Sequence, residues 1–107
     1  MTSFGYFIKK EREKRGWTQT DLGAKLGINM TKISRIENNK DLFTRSKLEK
    51  LAELFDTDIT LMKELFFGDK FAKEAYINGC SEKTFIVAEN TVKYLQGVNA
   101  KQGKLDL

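Results

Sequence analysis

An all-α fold is predicted: five helices forming one small domain, followed by a short helical extension. Three observations predict it. Apolar residues recur at intervals of three and four nearly throughout the chain, the spacing that lines one face of a helix. The 107 residues include no proline, the residue that breaks helix interiors. In "LGAKLGINMTKISRIE", residues 22–37, two such periodic stretches meet at Gly27 with no polar loop between them.

Taken in order, Phe4, Phe7, Ile8 and then Trp17 predict a first helix over about 4–15, ended by Gly16. Thr18 is a good N-cap for a second helix, with Asp21 near its positive end and Leu22 and Leu26 on its inner face. Gly27 can adopt positive φ and so stops that helix. Asn29 caps a third, on which Ile33 and Ile36 share a face. "NNKDLFT", 38–44, reads as a loop, and Leu48, Leu51, Ala52, Leu54 and Phe55 line a fourth helix over about 45–55. Asp58 caps a fifth, running to about 67, or to about 77 if Gly68 and Asp69 are crossed. "NGCSE" is a turn, and Ser81 caps a last helix over about 82–96. The organisation expected is a domain over 1–67, a helical extension over 68–96 and a flexible polar tail over 97–107.

A chain of this length buries one modest core. With 40% hydrophobic residues, a mean hydropathy of -0.47 and no apolar run near the roughly 20 residues that span a bilayer, a cytoplasmic protein with no membrane partner is expected. The start, "MTSFGYFIKKEREKRG", lacks the apolar centre and cleavage site of a signal peptide. Cys80 stands alone, which removes an intrachain disulfide and a Cys-rich metal site. Histidine is absent, and with it the commonest metal ligand and acid–base catalyst. No metal, cofactor or enzymatic site is expected.

Charge is uneven. Residues 1–45 hold six Lys and four Arg against five acids, a net of +5, whereas residues 46–107 hold nine Lys against ten acids, a net of -1. All the arginine lies in the first 45 residues, and Arg is the side chain best suited to bidentate contacts with phosphate and guanine.

A sharp helix–helix junction needs a small residue where the helices cross, a glycine in the turn and apolar residues inside. The run "QTDLGAKLGINMTKISRIEN", 19–38, supplies Gly23, Gly27 and the set Leu22, Leu26, Ile28, Ile33 and Ile36. This run resembles the helix-turn-helix of the lambda-repressor/Cro-like (XRE) family of DNA-binding domains, and the resemblance extends over about residues 3–66. It implies a five-helix lambda-repressor-like domain on double-stranded DNA. With Ile33 and Ile36 inward, the outward side chains of the third helix are Asn29, Met30, Thr31, Lys32, Ser34 and Arg35, with no acid until Glu37. In the family the early residues of this helix meet base edges, which implies Met30, Thr31 and Arg35 as readers with Asn29 and Lys32 beside them. Arg35 suits guanine O6 and N7, and Thr31 or Met30 a thymine methyl. Met30 stands where the family often has a polar residue. Gln19 matches the family's phosphate-contacting glutamine, and Ser34, Asn38, Lys40 and Arg45 are expected on the flanking backbone. Arg12 and Glu37 occupy positions that in relatives form an ion pair orienting the third helix. Glu11 stands where many relatives have an apolar residue.

Beyond the motif, residues 58–96 are richer in aromatics than a surface requires. Phe67, Phe71, Tyr76, Phe85 and Val92 are expected at a homodimer interface, since large exposed apolar patches mark interfaces. A two-fold dimer spaces two reading heads about 34 Å apart and reads a palindrome. "GDKFAKEAY" and "VAENTVKYL" resemble the C-terminal part of short XRE-type regulators found beside DNA methyltransferase genes. The function so implied is a dimeric, sequence-specific transcriptional regulator, a repressor or autoregulator, nucleoid-associated when bound. The alternative is an antitoxin or interaction module whose DNA binding serves autoregulation.

Overall fold

Ser3 opens the first helix by accepting the Tyr6 amide at 3.1 Å on its hydroxyl, a side-chain N-cap. The computed structural model describes residues 3–102, whose regular structure is all helical: α1 (Phe4–Lys14), α2 (Gln19–Leu26), α3 (Met30–Glu37), α4 (Leu48–Leu54), α5 (Ile59–Ile77) and α6 (Lys83–Gln102). The all-α class is thus the one its periodicity predicts. The described residues divide between Phe71 and Ala72 into two compact units.

The first unit holds the core. Ile8 from α1, Leu22 and Leu26 from α2, Ile33 from α3, Leu51 from α4 and Met62 from α5 are essentially inaccessible. Phe4 joins the two ends of this core, its ring edge-on to both Phe43 and Phe66 at centroid distances of 5.8 and 5.6 Å. Phe43 belongs to the 38–44 loop, so that loop is anchored by a buried aromatic rather than solvated along its length.

Two close backbone approaches set the helix crossings. A Cβ on Gly23 would collide with the carbonyl oxygen of Ile28, and one on Gly5 with that of Ile36. Only glycine lets α2 sit this close to the turn and α1 this close to α3. Gly27 has φ 68°, and the Ile28 amide returns to Gly23 O at 2.9 Å, so the helix stops within one residue.

Two boundaries differ from expectation, and a third falls on the longer of two alternatives left open. The expected helix at 45–55 begins as a 3₁₀ turn over Arg45–Lys47 before α4. At the other end of α4, Asp56 (φ 50°) takes the left-handed conformation that closes the helix. Second, α5 crosses Gly68 and Asp69 and continues to Ile77; Asp69 accepts the Phe4 amide at 3.1 Å. Third, α6 passes through Gly97 to Gln102, so residues 97–102 are helical where a flexible tail was expected. A single glycine costs a helix interior only about 1 kcal/mol, so Gly97 is crossed as Gly68 is in α5. The rest of that expected tail, 103–107, lies outside the described residues.

The second unit comprises the end of α5, the turn around Gly79 (φ 71°) and α6. Ser81 accepts the Lys83 amide at 3.3 Å at the start of α6. Tyr76, Ile77, Ile86, Val87 and Tyr94 are each more than 60% exposed. No described helix is long and apolar enough to cross a membrane.

Candidate nucleic-acid interface

The second helix starts with a capping box. Thr18 Oγ1 accepts the Asp21 amide at 3.0 Å, and Asp21 Oδ2 accepts the Thr18 amide at 2.8 Å. Those bonds, the backbone one first, hold the Asp21 carboxyl below the usual carboxylate range. At the far end of α2, Lys47 donates to the Leu26 carbonyl at 2.8 Å, a contact that braces the turn from the 3₁₀ segment. Lys47 is a residue that sequence reasoning missed, because nothing in its local pattern points to a partner 21 residues away.

Asn29 caps α3 by accepting the Thr31 amide on Oδ1 at 2.7 Å. Its carbonyl oxygen is therefore committed to the backbone, while the side chain stands exposed. Met30, Thr31 and Arg35 are exposed on the same helix, and Lys32 and Ser34 are half-buried. The structure thus brings the five candidate readers to one short helix whose opposite face, Ile33 and Ile36, is sealed in the core. The Ser34 carbonyl accepts Asn38 Nδ2 at 2.8 Å, so Asn38 folds back to cap the helix end. Beyond it Asn39 takes the left-handed conformation (φ 60°), and the Lys40 amide returns to Arg35 O at 2.8 Å. Lys40 and Arg45 are exposed on the segment that follows.

A buried polar network fixes this helix. Arg12 meets Glu37 edge-on, Nε to Oε2 at 2.7 Å and Nη2 to Oε1 at 2.9 Å, with the two side chains 11% and 1% exposed. Arg12 Nη1 donates to the Trp17 carbonyl at 2.7 Å, joining the α1–α2 loop to the pair. The Glu37 hydrogen bonds raise the Arg12 pKa further above its ordinary value. Gln19 completes the network by donating to Glu37 Oε1 at 3.1 Å. Gln19, at the start of α2, is thereby oriented by the same carboxylate that orients α3.

A second network surrounds Glu11. Arg15 donates to Glu11 Oε2 at 2.7 Å and to the Phe55 carbonyl at 2.6 Å, and its guanidinium lies 4.9 Å from the Phe55 ring centroid. The Arg15 bond is the main reason that the Glu11 carboxyl titrates below its ordinary range. An acid is accommodated on this face of α1 because an arginine one turn later covers it.

Of the residues expected at a dimer interface, Phe67 is half-buried against the core of its own unit and lies 5.0 Å from the Phe66 ring. Phe71, Tyr76, Phe85 and Val92 are 54%, 85%, 44% and 51% exposed. Among the described residues there is no group of three or more His, Cys, Asp or Glu side chains arranged for a metal.

Comparison with known proteins defines the class. A family model described as helix-turn-helix matches residues 8–62, a span that contains Glu11 and Arg12 of α1 and the whole of α2 and α3. The chain belongs to the helix-turn-helix family, and it is a DNA-binding regulator of the XRE type. It is similar to the antitoxin HipB of Escherichia coli (strain K12), 35% identical over 60 residues that make up 56% of this chain and 68% of that protein. Among solved structures it resembles the biofilm master regulator SinR in complex with DNA (27% identity, TM-score 0.48, 54% of this chain and 94% of that one). It also resembles the restriction-modification controller protein C.Esp1396I (31% identity, TM-score 0.47, 61% and 83%).

Proposed function

We propose that the protein is a sequence-specific transcriptional regulator that binds a palindromic operator as a homodimer and represses or autoregulates its target. The observation that supports this best is α3. Its exposed face presents Asn29, Met30, Thr31, Lys32 and Arg35 without an acid, and its opposite face is locked by Ile33, Ile36 and the Arg12–Glu37 pair. Such a helix can enter the major groove as a rigid body. Arg35 reads guanine, and Thr31 and Met30 meet thymine methyls. Gln19, Ser34, Asn38, Lys40 and Arg45 hold the flanking phosphates, which position the helix without specifying sequence. The net charge of +5 on residues 1–45 supplies the salt-dependent part of the affinity.

Residues 68–96 form the dimerisation extension in this reading. Exposed Phe71, Tyr76, Phe85 and Val92 are covered by a second copy, which pairs two reading heads. The protein acts in the cytoplasm, on the nucleoid, and no catalysis is part of the reading. A controller-like role at a neighbouring operon rests on the sequence pattern of "GDKFAKEAY" and "VAENTVKYL" alone.

Selection from random duplex DNA with the purified chain tests the proposal. A palindromic consensus with half-sites about 10 base pairs apart is the expected result. Uniform recovery at a salt concentration that suppresses nonspecific binding would remove α3 as a base reader. A second reading, an antitoxin, draws on the likeness to HipB and on the exposed apolar residues of α6. Co-purification with a stoichiometric second protein from the native operon would favour it.

A further inference from the structure

Asp41 lies in the loop after α3 and has no part in the contacts assigned above. One carboxylate oxygen, Oδ1, accepts the Leu42 amide at 2.9 Å, which fixes the side chain to its own loop. The other, Oδ2, stands 3.8 Å from Lys32 Nζ and 3.9 Å from Arg35 Nε. The preceding residue completes a clamp: Arg35 Nη2 donates to the Lys40 carbonyl at 2.9 Å, and the Lys40 amide donates to the Arg35 carbonyl at 2.8 Å. Glu37, the acid within α3 itself, is buried and committed to Arg12 and Gln19. Asp41 is thus the carboxylate that faces both cations of the reading helix.

We infer that Asp41 is a specificity-determining positioning residue, which aims Arg35 and opposes the capture of DNA of arbitrary sequence. This rests on the reading of Arg35 as a base contact. The clamp bonds one hydrogen of Nη2 and sets a carboxylate 3.9 Å from Nε, which leaves Nη1 and the second Nη2 hydrogen for the two acceptors of guanine. A free Arg side chain carries much rotamer entropy, so restraining it before binding lowers the cost of the specific contact. On nonspecific DNA the same two cations serve as counter-charges for phosphate. There Asp41 already neutralises part of their charge and adds repulsion of its own. It therefore weakens binding to any sequence while sharpening the choice among sequences.

The test compares the full chain with D41N, D41E, R35A and the double variant R35A/D41N. The probes are the duplex recovered by selection and a scrambled duplex of equal length, each titrated over a range of salt. Asn keeps the Oδ1 acceptor for Leu42, so the loop is retained. D41N is expected to bind the scrambled duplex about three- to fivefold more tightly, with a salt slope steeper by about one. It is also expected to relax the base preference at the Arg35 step. D41E should restore most of that preference, and D41N should not change it further once Arg35 is gone. An unchanged ratio of selected to scrambled affinity in D41N, with R35A still losing its base preference, overturns the role of Asp41 alone. The same result follows if D41N changes base preference equally with and without Arg35. If R35A leaves the preference intact at every step, or selection yields no preferred duplex, the base contact itself fails and the role of Asp41 falls with it.

Discussion

Arg12 grips Glu37 through two parallel hydrogen bonds of 2.7 and 2.9 Å, and this pair ties the first helix to the last turn of the third. A carboxylate whose side chain is 1% exposed is tolerated because three donors reach it, two from Arg12 and one from Gln19. Removing one partner leaves an uncompensated buried charge. R12A should therefore cost about 3–5 kcal/mol of stability, a large share of the ~5–15 kcal/mol available to a small domain. R12K keeps the charge but not the fork, and should fall between wild type and R12A. Urea denaturation of the three proteins measures this directly. A loss under about 1 kcal/mol in R12A would place the pair among ion pairs that water already screens.

Glycine substitutions should divide by what surrounds each residue. G23A would drive a methyl group into the Ile28 carbonyl, so α2 must shift from the turn, at a cost of about 1–3 kcal/mol. At Gly68, inside α5, an added methyl group would meet no atom within 4 Å, and G68A should stabilise by about 0.5–1 kcal/mol. Thermal melting of both variants distinguishes the two cases. A neutral G23A would mean that the helix crossing has slack which the close approach does not suggest.

Local rules made the helix-turn-helix legible. The pattern of Gly23, Gly27 and five apolar positions is written within 20 residues, and each of the two helices starts on its own N-cap, Thr18 or Asn29. What stayed hidden depends on contacts distant in sequence. Gly5 is needed only because Ile36 passes over it, and Phe43 reads as loop because its partner Phe4 lies 39 positions away. Asp41 carries no periodic signal at all; the left-handed turn at Asn39 brings its loop back beside Lys32 and Arg35. The end of α6 differs for another reason: Gly97 reads as a stop, yet one glycine costs a helix interior only about 1 kcal/mol.

Two carboxyls contribute stability that acid removes. Glu11 is held low chiefly by Arg15 and Asp21 chiefly by the Thr18 amide, so both bind protons more weakly in the folded than in the unfolded chain. Such groups stabilise fully above their unfolded pKa, about 4, and the contribution is lost as pH falls through the lower folded values. The melting temperature should thus change little from pH 7 to about 5 and fall below about 4. The double variant E11Q/D21N should lose less over that acid range than wild type. An equal loss would assign the acid transition to other carboxyls.

Phosphate and base contacts should separate by their salt dependence. Arg45 is exposed beyond α3 and is not among its outward reading residues. R45A should weaken binding about equally on selected and scrambled duplexes, and reduce the salt slope by about one. A loss confined to the selected duplex would instead make Arg45 a sequence reader.

The exposed aromatic residues give the most direct test of assembly. Phe85 is 44% exposed on α6, so a large part of its ring is open to a partner. F85E should keep its helical content by circular dichroism but sediment as a monomer. Operator affinity should then fall by about 10²–10⁴, because the second reading head no longer binds as a tethered partner of the first. If F85E still sediments as a dimer, Phe85 lies outside the interface, and F71E is the next variant to measure. A monomer that holds the operator as tightly as wild type would show that one α3 suffices, and the palindrome would lose its physical reason.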